Sequence, residues 1–307
     1  MNVITAPKQL NLAIARRCHV SCIGCYTYFG RDEPDLAALV SSVAAFVRLG
    51  VDHVTVSGGD PLTIEDLPAF LRSLRSVGVK FIKLDTVGVG LTGKKTGDTT
   101  LRDLVAELDL LGIPLDGWSD ESVLAFRHGR RRLYTETSAL LDAIDELCAR
   151  PNVVINTVAH RDNLPYLERI FENVRRHRCV CHWNVFQYTP TDQAAENANA
   201  RFFASDVAFE RFRDDFFGRS APTRSKSESM PIDFRSRHAR LGQYLLINSD
   251  GEAWLPDEHG NTIRLGSLFG REAAVLSSWA EAVSALSKRV GGESALPADL
   301  AALSPQR

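Results

Sequence analysis

Surplus charge, long apolar runs and late cysteines are what this sequence has little of. Its 307 residues carry 36 Lys and Arg against 38 Asp and Glu, a formal net charge of −2. That balance argues against a nucleic acid or an anionic membrane surface as the main partner, since either favours a cationic excess. No apolar run approaches the roughly 18 residues that span a bilayer. The opening MNVITAPKQLN lacks the charged and then apolar pattern of a secretory leader. A cytoplasmic protein that does not enter the membrane is expected, and in a reducing compartment its six cysteines are not expected to form disulfides. The last of them is Cys181. What is present is a 44% hydrophobic chain, enough for a large core, and a group of three cysteines, Cys18, Cys22 and Cys25, near its start. Clustered cysteines of this kind bind metal or do redox chemistry.

Strand-length apolar runs alternate with helix-period segments from residue 10 to about 190. The pattern predicts strands at Leu10–Ala15, His53–Val56, Phe81–Asp85, Ile113–Asp116, Val153–Val158 and Trp183–Tyr188. Helices are predicted at Leu36–Leu49, Ile64–Val77, Leu101–Leu111, Thr137–Ala149 and Leu164–His177. Six strand-plus-connection units in series imply an α/β fold with a parallel sheet, a partial (β/α)6 TIM-type barrel. Beyond it the sequence predicts a polar stretch at 189–201, an amphipathic helix Ser205–Phe217 and a polar, mobile loop at 219–229. A hairpin of Tyr244–Ile247 and Glu252–Leu255 turns at Asn248-Ser249-Asp250-Gly251, and a helix Glu272–Arg289 follows. The expected organisation is a core at 9–190, an extension at 191–290 covering the barrel mouth, and a poorly ordered tail at 291–307. In such barrels the loops after the strands build the active site. The cysteines follow the first strand and Ser57-Gly58-Gly59-Asp60-Pro61 the second, so both motifs open on one face.

Three cysteines cannot close a four-thiolate iron–sulfur site or a structural zinc site. The spacing CxxxCxxC, followed by Tyr26, resembles the signature of the radical S-adenosylmethionine (SAM) superfamily. There a 4Fe–4S cluster held by three cysteines leaves one iron open to SAM, and the reduced cluster cleaves SAM to a 5′-deoxyadenosyl radical. Three buried or zinc-bound cysteines are the bland alternative. The resemblance extends along the chain. Gly58-Gly59-Asp60-Pro61 is similar to the family's Gly-Gly-Glu-Pro motif, whose backbone meets the SAM amino end, and glycine permits such an approach. Lys83-Leu84-Asp85-Thr86-Val87-Gly88 resembles its Thr-Asn-Gly strand end, and Pro114-Leu115-Asp116-Gly117 its Ser-Leu-Asp-Gly run. Asn156 stands where a polar SAM ribose contact is common, and Phe186-Gln187-Tyr188 where the adenine meets strand six. The resemblance thus implies Cys18, Cys22 and Cys25 as cluster ligands, and Tyr26, Gly58, Gly59, Asp60, Thr86, Asp116, Asn156 and Gln187 as SAM-binding positions. Taken alone, the two glycines read equally as a turn and Asn156 as a satisfied core amide.

The hairpin and Asn261–Leu268 resemble the C-terminal extension of SPASM-type members, but without its cysteines, so a single cluster is expected. Lacking an auxiliary electron acceptor, a redox-neutral or reductive reaction is expected over a net dehydrogenation. Several stretches resemble viperin-type and nucleoside-tailoring members, cytosylglucuronate decarboxylase among them. Val154 and Asn184 replace the lysines with which viperins hold a triphosphate, so the expected substrate is a nucleoside or sugar with at most one acidic group. Its transformation in natural-product biosynthesis, as antibiotic biosynthesis, would include a decarboxylation of the lyase type. Arg130–Arg132, Arg235, Arg237, Arg240 and Arg264 are candidate anion partners or a solvated basic surface. Cys181 is a candidate catalytic hydrogen donor for an epimerase, or a small buried hydrophobe. A peptide-modifying enzyme and a non-catalytic iron–sulfur protein complete the alternatives. Partners implied are a small-molecule substrate and an external reductant such as flavodoxin or ferredoxin, with no nucleic acid and no membrane.

Overall fold

A computed structural model of the chain describes residues 6–25, 34–91, 101–147, 152–191, 201–220 and 230–289. Tyr26, Cys148, the segment 221–229 and the tail 291–307 lie outside the described residues. The elements of the repeating region are β1 (Gln9–Ala15), β2 (Ser21–Cys22), α1 (Leu36–Arg48), β3 (His53–Gly58), α2 (Leu67–Ser76), β4 (Phe81–Asp85), α3 (Leu101–Ala106), β5 (Leu110–Pro114), α4 (Asp120–Leu124), β6 (Arg127–His128), α5 (Leu133–Leu147), β7 (Val153–Ala159), α6 (Leu167–Val174) and β8 (Val180–Gln187). Then come α7 (Asp206–Ser220), β9 (Ile232–Arg235), β10 (Tyr244–Asn248), β11 (Glu252–Pro256), β12 (Thr262–Ser267) and α8 (Glu272–Arg289).

Ten strands form one sheet in the order β12-β11-β10-β1-β3-β4-β5-β7-β8-β9. The strands from β10 to β9 are all parallel, and β11 alone runs the other way, pairing antiparallel with β10 on one side and β12 on the other. The two ends of the order are different strands, β12 and β9, so the barrel is partial. The six expected strands are β1, β3, β4, β5, β7 and β8. Successive side chains on each alternate between two faces, and both are buried. Leu12, Val56, Leu84, Ile113, Ile155 and Trp183 belong to the large core that also holds the helix residues. Phe81, Leu110 and Val154 form a small separate cluster that floors the concave inner face. Helix α1 shows why the connections are helical: Asp35 caps it by accepting from the Ala38 N–H at 2.9 Å, and Leu39, Val43 and Phe46 are buried on one stripe. Each such side chain contributes about 1.5–3 kcal/mol on burial.

Two departures from the sequence reading are informative. Leu110 and Leu111, predicted inside a helix Leu101–Leu111, lie in β5 instead, after a helix that stops at Ala106. Leu110 joins the inner floor and Leu111 the outer core. Only a strand sends neighbouring residues to opposite faces. Strand β9 was not expected at all. Its four residues pair with β8, with Phe234 packing against Trp183, Phe209 and Phe216. The hairpin forms as expected, with Gly251 at φ +81° in its turn. Its first strand continues the sheet by pairing parallel with β1, while β9 extends the opposite edge. Among the described residues no helix is long and apolar enough to cross a membrane.

Candidate active site at the carboxyl ends of the strands

The cysteine loop leaves β1 and is fastened at once by the loop after β3. The Gly59 N–H donates to the Ala15 carbonyl at 2.6 Å and the Asp60 N–H to the Arg17 carbonyl at 2.7 Å. Both glycines are required sterically. A Cβ on Gly58, whose φ is +126°, would lie 2.5 Å from the Ala15 oxygen, and one on Gly59 would overlap the Arg17 carbonyl. The close approach that glycine permits here is therefore to the chain leading into Cys18. The Asp60 side chain, 0% exposed, turns under this junction. Its Oδ1 accepts from the Leu62 N–H at 3.1 Å and the Thr86 hydroxyl at 2.6 Å, and Thr86 Oγ1 in turn accepts from the Gly88 N–H at 3.0 Å. Its Oδ2 is buried without a hydrogen-bond partner. Burial pushes the Asp60 carboxyl above its ordinary range despite those bonds.

A second clamp holds the middle of the loop. The short strands β2 and β6 pair antiparallel, with Cys22 opposite Arg127, and the Ile23 N–H donates to the Phe126 carbonyl at 3.0 Å. Arg127 Nη1 donates to Cys22 Sγ at 3.1 Å while its Nε donates to Asp116 Oδ2 at 2.5 Å. Asp116, 1% exposed, also accepts from the Val158 N–H at 2.7 Å, and Asn163 donates to its carbonyl at 2.9 Å. Gly24, at φ +74°, has no room for a Cβ because the Tyr188 ring fills that space. Burial pushes the Cys18 thiol up to about 12, with Asp60, Cys22 and Cys25 adding to the effect. Burial likewise raises Cys22, against the pull of Arg127. Cys18 and Cys22 held this way resist ionising until a cation joins them, which is the chemistry of a thiolate metal centre. Among the described residues no three His, Cys, Asp or Glu side chains converge as a single ion would require. An iron–sulfur cube takes its thiolates at separate corners, so three cysteines that do not meet at one point are compatible with such a cube.

Below the loops, the inner face carries a hydrogen-bonded row. Lys83 Nζ pairs with Asp85 Oδ1 at 2.8 Å, Asn156 Nδ2 donates to the same Oδ1 at 3.1 Å, and Asn184 Nδ2 donates to Asn156 Oδ1 at 3.0 Å. Asp85 Oδ1 accepts in this row, so each amide in turn presents its NH2 toward it. Asn184, 1% exposed, is left with Oδ1 buried and unpartnered. The row crosses β5 at Gly112, where a Cβ would overlap Asp85 Oδ1 and stand 3.0 Å from Asn156 Nδ2.

The described positions predicted to meet SAM are thus brought to one end of the barrel, but several of their side chains bond one another. Asp60 holds Thr86, Asp116 holds Arg127, and Asn156 bridges Asp85 and Asn184. The Gln187 amide is taken by Asp206 Oδ1 at 2.7 Å, the Ala204 carbonyl at 3.2 Å and the Arg237 N–H at 3.0 Å. Cys181 is placed elsewhere. It sits at the start of β8, packs on the Phe81, Leu110 and Val154 floor and donates to the Val153 carbonyl at 3.2 Å. Six residues of strand, about 20 Å, separate it from Gln187 at the loop end. It is not brought to the cysteine loop. Arg127 and Gly112 are the residues that sequence reasoning missed. A cation directly after buried Phe126 was a signal for the first, whereas nothing in the sequence marked the second.

The family model described as Radical SAM superfamily matches residues 12–174. An S-adenosylmethionine-dependent nucleotide dehydratase of Lacinutrix mariniflava is 22% identical over 69% of this chain and 45% of its own length. A PqqA peptide cyclase of Rhizobium meliloti is 27% identical over 55% of this chain and 44% of its own. The chain therefore spans about half the length of the curated relatives it matches. Among solved structures, Streptococcus suis SuiB bound to S-adenosylmethionine superposes with a TM-score of 0.63 at 13% identity, covering 82% of this chain and 60% of that one. That likeness bears on the fold, a mostly parallel partial TIM-type barrel.

Proposed function

The chain belongs to the radical SAM superfamily, and from that premise we propose that it is an enzyme using one 4Fe–4S cluster and S-adenosylmethionine to act on a nucleoside or sugar. When bound, that pair supplies a 5′-deoxyadenosyl radical able to abstract hydrogen from carbon. Cys18, Cys22 and Cys25 would hold the cluster, and the absence of any cysteine after Cys181 supports a count of one. The observation that carries the reading is the double fastening of the cysteine loop, by Gly59 and Asp60 on one side and by Arg127 on the other. Arg127 places positive charge against a thiolate ligand, and buried Asp116 fixes its direction. The orphaned Asp60 Oδ2 fits the ammonium end of SAM at the Gly58–Pro61 junction.

A nucleoside or sugar carrying at most one acid suits the walls. Val154 is apolar, Asn184 is neutral, and Lys83 is neutralised by Asp85. The dehydratase relative, named for a nucleotide, supports the same class. The transformation proposed is redox-neutral or reductive, with loss of a carboxylate as CO2 the specific form, driven by an external flavodoxin or ferredoxin. A peptide substrate is the second reading, favoured by the peptide cyclase relative. Anaerobic reconstitution tests the core of the proposal. About four irons per chain and 5′-deoxyadenosine on adding SAM and dithionite are expected, both lost in Cys22→Ala. Reconstituted wild type that makes no 5′-deoxyadenosine sinks it.

A further inference from the structure

From the last residue of β9 toward β10 the chain passes the end of β8 and brings Arg235, Arg237, His238 and Arg240 beside Gln187. Two carboxylates meet them. Arg235 Nη2 and His182 Nε2 bond Asp233 Oδ2 at 3.1 and 3.2 Å, while Arg237 Nη2 and His238 Nε2 bond Asp206 Oδ2 at 2.7 and 3.4 Å. The bonds from His182 and Arg235 hold Asp233 below the usual carboxylate range. Burial would raise Asp206, but its bonds from Arg237, Gln187 and His238 outweigh that. Both acids are therefore ionised, and each already serves one arginine. Arg240 is the third arginine, and no carboxylate answers it among the described residues. Its Nη2 donates to the Gln187 carbonyl at 3.0 Å and to the Thr189 hydroxyl, and its Nε is buried with no partner.

A guanidinium held by neutral oxygens alone lacks its counter-ion, and a planar fork of donors matches a carboxylate or phosphate. The direction of Arg240 is set by an aromatic ring. Arg240 Cζ stands 5.6 Å and Arg235 Cζ 5.7 Å from the centroid of Phe186. Phe186 shares the inner face of β8 with Asn184, two residues or about 6–7 Å deeper, where the open Oδ1 awaits a donor. The cysteine loop is adjacent, since the Tyr188 ring that follows Gln187 packs on Gly24. The other arginine candidates lie apart. Arg130 pairs with Glu136, and Arg264 is exposed on β12 at the far edge of the sheet.

We propose that Arg240, steadied with Arg235 on Phe186, binds the one anionic group of the substrate, a single carboxylate or phosphomonoester. This names the substrate class of the site proposed above and rests on that reading. Among the described residues beside Gln187, one unanswered cation selects one anionic group and not a triphosphate.

Uridine, uridine 5′-carboxylic acid and UMP, together with glucose and glucuronate, serve as probes. They are titrated calorimetrically into anaerobically reconstituted holoprotein with SAM and no reductant. Wild type is expected to bind at least one acid about tenfold more tightly than its neutral parent, and the acid preferred separates carboxylate from phosphate. Arg240→Gln should bring acid and parent within about threefold of each other by weakening the acid alone. Unchanged affinity for the parent shows that the variant is folded. Arg240→Lys should keep part of the preference, and Arg264→Gln all of it. Equal affinity for acid and parent in wild type, or an intact preference in Arg240→Gln, overturns the proposal. Formation of 5′-deoxyadenosine by wild type, assayed separately with dithionite, isolates the radical SAM reading. Its absence beside an intact acid preference overturns that reading alone, and its presence without the preference overturns only this one.

Discussion

Replacing Gly112 with Ala sets two known effects of opposite sign against each other. In the interior of a strand Ala is favoured over Gly by about 0.5–1 kcal/mol, because the unfolded chain has less freedom to lose. Gly112 has no positive φ to forbid the change. Against this, the new methyl would overlap Asp85 Oδ1 and stand 3.0 Å from Asn156 Nδ2. Asp85 would have to turn away, ending the 3.1 Å bond from Asn156. A hydrogen bond to a charged acceptor contributes about 1.5–3 kcal/mol, reduced here because the Asp85 side chain is 29% exposed. Overpacking adds about 1–3 kcal/mol. The steric and polar losses win, and Gly112→Ala should destabilise the protein by about 2 kcal/mol in urea unfolding followed by circular dichroism. The same substitution in an Asp85→Ala background meets no carboxylate and should be neutral or slightly stabilising. An equal loss in both backgrounds, or no loss in the first, would refute the account of the row.

Two further outcomes follow from the clamps. Arg127→Lys keeps the charge, but an ammonium cannot fork between Asp116 Oδ2 and Cys22 Sγ as the guanidinium does. Losing a hydrogen bond to a ligand sulfur should lower the reduction potential of the reconstituted cluster, read by an EPR-monitored redox titration, and an unchanged potential would exclude the role. His160, stacked on Phe126 at 4.7 Å with Phe202 at 5.0 Å, has its pKa lowered to about 3 by burial, aided by Arg127 and Arg201. The unfolded chain takes up this proton near pH 6.5 and the folded chain only near 3, so the stabilisation is full above 6.5 and is lost as the pH falls toward 3. It amounts to roughly 5 kcal/mol. His160→Gln should flatten that acid limb in denaturation curves taken from pH 7 to 3, and a limb of unchanged slope would contradict it.

The fold was legible where its physics is local. Apolar runs of strand length and helix stripes such as Leu39, Val43 and Phe46 survive as elements because each buries its own face whatever its neighbours are. Leu110-Leu111 was misplaced because two adjacent leucines fit a helix pattern and a strand buried on both faces equally well. Only the sheet on one side and the helices on the other separate the two. Strand β9 was not visible because four residues carry too little pattern. Its partner β8 and its Phe234 packing surface are supplied by distant chain. The parallel pairing of β10 with β1 joins Leu10 to Leu245, and no local propensity encodes such a contact.

The candidate site was legible in residue type more than in residue role. Cysteine spacing and paired glycines mark chemistry that few structures need, so they stand out in one sequence. Carboxylates and amides do not, since a buried Asp can serve a ligand or a neighbour equally well. Here many serve neighbours: Asp60 to Thr86, Asp116 to Arg127, Asn156 between Asp85 and Asn184. Such mutual bonding is how a polar cavity stays ordered in a low-dielectric interior, where an amide without a partner costs about 1–3 kcal/mol. It follows that the atoms open to a ligand are the remainders of these networks. Asp60 Oδ2, Asn184 Oδ1 and the Nε of Arg240 are such remainders, each buried and unpartnered. A carboxylate oxygen beside the cysteine loop, an amide oxygen deeper in the barrel and a cation above it define what each end of a ligand must offer: a donor, a second donor and an anion. A ligand pair made of an ammonium-bearing cofactor and a hydroxylated or amino-bearing acid satisfies all three, which ties the substrate class to the same accounting of hydrogen bonds that orders the fold.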